Sequence, residues 1–440
     1  GALTESVVGE RARSLFMIVI FLLLLMVNAV FAIIIAGLFV DFPSSVIPAW
    51  FVIGVAITIG YLLYRRGVAL LWPSIIGVTL LYASMVVGNQ IPLSLPELVF
   101  GLGAPALWVV ILFAYAAIAS LLPVWLLLQP RDYINGLQLF IGLGIFFLAV
   151  LIAQPEVVAP MINSSVPDDV PSLIPLLFVT IACGACSGFH GLVSSGTTSK
   201  QVNNEQDVRF VGFLGTVGEG ALALAAIIAC TAGFATLGDW EGYYTAFASG
   251  GLPAFVQGGG GILAAGLGLP VALGETLLAV MAILFAATTM DTGVRLQRYI
   301  VQEAGTIYNI PALTGKGLST AVAVGCCLAL AFGAGGGGGT GGLVIWPLFG
   351  TTNQLLAALT LLVLSVFLLK QSRPSRYTFV PFLFLLTMTV WALLIQLKAF
   401  FENEQFFLLG LDLVILVTAI WVALESGSAY QKARKGESSA

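Results

Sequence analysis

The sequence predicts an all-α polytopic membrane protein of about 12 transmembrane helices, and three observations carry that prediction. Charged residues make up 9% of the 440-residue chain and hydrophobic residues 59%, with a mean hydropathy of +1.05. A soluble domain carries about a quarter charged residues because its surface faces water, so most of this surface must face something apolar. The apolar residues fall into runs long enough to cross a bilayer, and the basic residues fall in alternate loops between those runs.

A helix needs about 20 apolar residues to cross a hydrocarbon core of about 30 Å, with every backbone polar group satisfied internally. Runs of this kind lie at 14–40, 46–63, 68–89, 104–129, 136–153, 172–195, 211–236, 268–293, 317–334, 343–369, 377–397 and 406–425. The run at 268–293 follows Gly-rich sequence and is open to a short re-entrant reading. Lys and Arg concentrate in cytoplasmic loops. With the amino end inside, one side holds Arg11, Arg13, Arg65, Arg66, Arg131, Lys200, Arg209, Arg295, Arg298, Lys316, Lys370, Arg373, Arg376, Lys432, Arg434 and Lys435. The other side holds a single base, Lys398, among acids that include Asp41, Glu97, Asp168, Asp169, Asp239 and Glu402. An extra or missing helix would scramble that alternation. The expected placement is therefore an inner membrane, with both termini cytoplasmic.

Composition excludes other classes. A net charge of -4 gives no basic field for nucleic acid. The five cysteines all lie inside apolar runs, where thiols are usually inert packing residues. Cys183 and Cys186 have no second pair on the same span to complete the four ligands of zinc, so neither a metal nor a cofactor is expected. The first apolar run is too long for a cleaved signal peptide and lacks its small-residue cleavage site. The chain starts at Gly1, as a trimmed product or a piece of something longer would. The glycine run 335–339 reads as low-complexity loop or a loose helix end.

Chemistry concentrates in a few segments. Span six, Phe178 to Lys200, is rich in glycine and hydroxyls and holds the only histidine, His190. Small residues let helix backbones approach, and hydroxyls coordinate cations or hydrogen-bond substrates; the alternative is a tightly packed helix whose Ser and Thr bond their own backbone. A carboxylate in hydrocarbon is costly unless protonated, paired or hydrated. Glu219 in span seven and Glu275, about a third of the way along span eight, are therefore proton-coupling candidates. Asp291 sits four residues before Arg295, on the same helix face, and the two are expected to form a structural ion pair. His190 either relays protons or bonds a neighbouring helix. Span four ends in Leu122-Pro123-Val124-Trp125 and runs on to Gln129-Pro130-Arg131, where two prolines remove backbone donors and predict a kinked or broken helix. Arg131 either receives a substrate carboxylate or anchors topology at the inside face. Asn353 and Gln354 end a polar run that starts at Thr351, near the opening of span ten, and that faces a pathway or bonds a neighbouring helix.

Four segments resemble the carbon-starvation protein A family: Ala182 to Thr198, Leu122 to Tyr133, Asp291 to Arg295, and Trp346 to Gly350 with Asn353-Gln354. They occur in the family's order and span most of the chain, and Glu219 and Glu275 match the family's acids in spans seven and eight. The resemblance implies a leucine-transporter-type inverted-repeat fold with its first two core helices absent. Residues 1–103 then end the first repeat, 104–300 form the second, 301–425 are accessory helices and 426–440 a cytoplasmic tail. Span four becomes the second broken helix. The pathway residues implied are Ser187, His190, Ser194, Ser195, Thr197, Pro123, Trp125, Asn353 and Gln354. Family members carry a His-rich, Gly-Pro-rich N-terminal portion with no counterpart in this sequence, so a separate N-terminal chain is expected to complete the site unless the chain is a fragment.

The expected function is proton-coupled symport of small peptides or pyruvate-like carboxylates during nutrient limitation, the coupling ion being a proton rather than sodium. The alternatives are a nutrient sensor without flux or a channel, though no repeated filter sequence is evident. An enzyme is not expected: one histidine cannot supply bis-histidine haem ligation, and no paired catalytic aspartates occupy adjacent spans.

Overall fold

The computed structural model describes residues 10–99, 101–163, 166–167, 170–246, 251–334 and 341–435. The glycine run 335–339, the acids Asp168 and Asp169 and the last five residues of the tail lie outside the described residues. Among the described residues, 12 segments are long and apolar enough to cross a membrane, from Phe16–Asp41 to Phe406–Glu425. This is the count the apolar runs predict.

The helices are α1 (Glu10–Asp41), α2 (Val46–Arg66), α3 (Leu71–Gln90), α4 (Ala104–Leu121), α5 (Leu128–Ala153), α6 (Phe178–Ile181), α7 (Gly188–Gly196) and α8 (Asp207–Ala232). They continue with α9 (Leu237–Tyr243), α10 (Leu252–Leu267), α11 (Val271–Ile307), α12 (Lys316–Gly333), α13 (Gly341–Lys370), α14 (Arg376–Glu402) and α15 (Phe406–Lys435). Local chemistry sets several ends. Gly67, at φ +65°, ends α2 in the left-handed conformation that side chains disfavour, and Arg65 and Arg66 sit favourably at the negative end of the same helix dipole. Prolines open α4 and α10, where the missing N–H would have no helical partner. The Thr236 hydroxyl caps α9 by accepting from the Asp239 amide. A two-stranded hairpin, β1 (Leu98–Val99) with β2 (Leu102–Gly103), leads into α4.

Helix α1 is the centre of the bundle, packed against α4, α11, α12, α13 and α15. The most apolar stretches of α1 and α13 are 67% buried and that of α11 is 61%, against 17% for the segment 173–200 and 11% for α8. The latter two therefore form a flank, and the middle of the molecule is made by the former three. A buried polar contact crosses the centre: Asn28 Nδ2 of α1 donates to Gln297 Oε1 of α11 at 2.8 Å, and Cys327 Sγ of α12 approaches the same oxygen at 3.1 Å.

Three boundaries differ from the sequence reading. Span four stops at Leu121 instead of 129, and Pro130, Arg131 and Asp132 belong to the opening of α5. The prolines thus mark an elbow between two helices rather than a kink within one, because proline tolerates a first helical turn better than a helix interior. The Gly-rich stretch before span eight is itself a 16-residue helix, α10, packed against α5, α8 and α11. Span six is the interrupted one, with its backbone extended at Ser187 (φ -108°, ψ 132°).

Candidate functional site

The interruption in span six is the irregular backbone nearest the residues singled out in the sequence. From Leu173 the chain makes a wide turn, then α6, a tight turn at Ala182–Gly184, the extended Ser187, and α7. A break of this kind removes helical partners from backbone groups on both sides, and at membrane depth such groups persist only where protein or water satisfies them. Asn353 of α13 supplies the partners. Its Oδ1 accepts from the Ser187 hydroxyl at 3.1 Å and from the Phe189 amide at 2.8 Å, while its Nδ2 donates to Cys183 Sγ at 3.0 Å. One fully buried amide therefore holds both edges of the break. The approach needs glycine at 188: a Cβ there would meet Leu356 Cβ at 2.6 Å and the Ala357 amide at 2.8 Å.

Beyond the break, His190 of α7 faces Glu219 of α8, with Nε2 and Oε1 3.7 Å apart. The side chains are 58% and 35% exposed, on the flank that other helices of this chain leave open. Two candidates nominated separately by sequence are thus partners. Ser194 and Ser195 bond the carbonyls of Gly191 and Leu192 in their own helix. Thr197 lines a cavity of about 330 Å³ with Asp132, Thr198, Gln201, Asp207 and Thr292. Gln354 is buried and its amide has no hydrogen-bond partner among the described residues.

Other candidates are not brought to the break. The Trp125 ring packs on Tyr64 at 5.9 Å and lies under the Arg65 guanidinium at 5.4 Å, so the Pro123–Trp125 elbow rests on α2. Glu275 lies in the second turn of α11 rather than a third of the way along a shorter span, and it packs against Gly260 of α10.

The expected Asp291–Arg295 ion pair is replaced by a different arrangement. Asp291 Oδ2 accepts from Arg131 Nη1 of α5 and, at 2.7 Å, from the Tyr115 hydroxyl of α4; Arg131 also donates to Tyr115. Arg295 instead donates to the Ala119 carbonyl at 2.7 Å and the Leu122 carbonyl at 3.0 Å, two of the acceptors left over at the end of α4. Helical spacing measures closeness on an isolated helix. Both side chains are buried here, 3% and 6% exposed, so each takes its best partner from a neighbouring element. Arg131, at 2% exposed, is neither a free anchor nor open to a substrate carboxylate. Sequence reading missed Tyr115 altogether, and the available signal was the need of a buried arginine for more than one acceptor.

Comparison with known proteins shows what the chain is similar to. The family model of carbon starvation protein CstA matches residues 1–238 and 235–392. The chain belongs to the CstA family. It is 32% identical to the peptide transporter CstA of Campylobacter jejuni over 92% of this chain and 65% of that protein. It is 29% identical to the pyruvate/proton symporter BtsT of Escherichia coli over 88% of this chain and 64% of BtsT, and 29% identical to the Escherichia coli peptide transporter CstA over 91% and 64%. The chain thus spans just under two thirds of the length of these three relatives. No solved structure matches it.

Proposed function

We propose that this chain is the membrane-embedded part of a proton-coupled symporter for small peptides or pyruvate-like carboxylates, working across an inner membrane with both termini cytoplasmic. The observation that carries the reading is the His190–Glu219 pair beside the interrupted span six. An ionisable pair at membrane depth is costly to keep without a role, and histidine and carboxylate side chains recur in the proton relays of pumps and transporters. Broken helices at that depth are where transporters of inverted-repeat architecture bind substrates and ions, and a leucine-transporter-type arrangement is part of the reading. The names of the relatives supply the substrate classes.

The pair also supports the expectation of a further segment. Charged and hydroxyl-bearing side chains on the α7–α8 flank are poor neighbours for lipid, so a separate N-terminal chain, or a preceding part of the same protein, covers them and completes the substrate site. Glu275, beside Gly260, is the second coupling candidate.

The test is uptake of radiolabelled pyruvate and dipeptide into vesicles with an imposed proton gradient, with and without the covering segment. Glu219→Gln and Glu275→Gln are each expected to abolish gradient-driven uptake while the chain still inserts. Undiminished proton-driven uptake in both variants overturns the coupling assignment.

A further inference from the structure

The last three helices hold buried polar groups apart from the His190–Glu219 pair and the break at Ser187. Asp412 of α15 is fully buried, and neither carboxylate oxygen has a hydrogen-bond partner among the described residues. Gln354 of α13, the Thr389 hydroxyl and Gln396 Oε1 of α14 are buried and unpartnered as well.

Register puts several of these at one depth. Gln396 lies six residues before the end of α14 at Glu402, and Asp412 six residues after the start of α15 at Phe406. Seventeen residues back from Gln396 is Phe379, and 18 residues on from Asp412 is Tyr430; those two rings stack at 4.3 Å, so the antiparallel pairing holds along both helices. Gln396 Nε2 in turn donates to Thr351 Oγ1 of α13 at 2.8 Å. Asp412, Gln396 and Thr351 therefore share a level in three mutually packed helices.

Among the described residues, no charge compensates Asp412. On α13 the charged group is Lys370, at the opposite end of the helix. On α14, Arg376 and Tyr377 also lie at that opposite end and bond each other, while Lys398 and Glu402 are exposed and pair with each other at 3.6 Å. On α1, Arg13 pairs with Glu303 and Asp41 is exposed at the helix end. Within α15, Glu425 accepts from Trp421. A buried carboxylate without a countercharge or donor is so costly that the group takes up a cation or a proton instead. A metal cation needs several oxygens converging on it, and no described residue bonds either Asp412 oxygen.

We propose that Asp412 is a proton-binding site, held as the neutral carboxylic acid inside the α13–α14–α15 unit and separate from the His190–Glu219 pair. Releasing the proton requires water to reach this level or the helices to part, so the protonation of Asp412 is tied to their packing. This assignment concerns the chain's own chemistry and stands or falls independently of transport.

Infrared spectroscopy of the full chain in lipid vesicles at neutral pH tests it. The expected result is a carboxylic-acid carbonyl band that shifts when the protein carries isotope-labelled aspartate, disappears in Asp412→Asn and survives in the exposed control Glu402→Gln. If Asp412→Asn does not insert, Asp412→Glu takes its place, and its band must respond to labelled glutamate instead of labelled aspartate. No aspartate-dependent band in the wild type, or one unchanged by either variant, overturns the proposal. Loss of the wild-type band in saturating sodium or potassium chloride also overturns it, in favour of a metal cation.

Discussion

Asn353 and Ser187 lie 166 residues apart in sequence and meet at 3.1 Å, at the extended residue that separates α6 from α7 in span six. The same Asn353 oxygen takes the Phe189 amide, so α13 helps to hold the break from outside span six. The interruption is therefore a property of two elements together.

Replacing Asn353 by alanine leaves the Phe189 amide without its partner in a half-buried setting, a loss of about 1–3 kcal/mol. Hydrogen exchange at residues 187–191 should accelerate in Asn353→Ala and stay near wild type in Asn353→Asp, which keeps the acceptor oxygens. Unchanged protection in the alanine variant would mean that Asn353 does not hold the break.

Glycine substitutions along the same span separate steric from conformational effects. Gly188→Ala forces a methyl group against Leu356 and the α13 backbone and should cost about 1–3 kcal/mol. Gly184→Ala has nothing within 4 Å to meet and should be close to neutral. Thermal unfolding in detergent compares the two, and equal melting temperatures would contradict the close α7–α13 approach.

The Asp291 network makes a prediction opposite to the one its spacing suggests. Arg131→Met strands a buried carboxylate and should destabilise by about 3–5 kcal/mol, whereas Arg131→Met with Asp291→Leu should recover most of that loss. A double-mutant cycle should give strong coupling for Arg131 with Asp291 and weak coupling for Arg295 with Asp291, since Arg295 spends its donors on the α4 carbonyls. The reverse order would restore the helical ion pair.

Topology is open to a direct check. Single cysteines at Arg66 and Lys370 should react with an impermeant thiol reagent from the same side, and a cysteine at Lys398 from the other. Labelling of the first two from opposite sides would break the 12-crossing scheme.

Much of the architecture was legible in the residues, because hydrophobicity accumulates along the chain. A run such as 406–425 is apolar whatever it packs against, and the alternation of Lys and Arg between runs fixes how many there are. The hallmark segment from Ala182 to Thr198 was legible in the same way, as an unusual local composition.

Partnership was not legible. Asp291 carried a plausible partner four residues away and took Arg131, 160 residues distant, because burial makes each charge compete for the strongest acceptor or donor that packing brings near. The prolines after Leu121 announced a disturbance, but only the position of α5 decided that it was an elbow, while the real break lay at Ser187, where no proline stands. The sequence alone determined how many helices cross and which carry polar side chains, since both depend on one residue at a time. Tertiary structure decided that His190 meets Glu219 and that Asp412 finds no hydrogen-bond partner among the described residues, because those outcomes depend on which helices become neighbours.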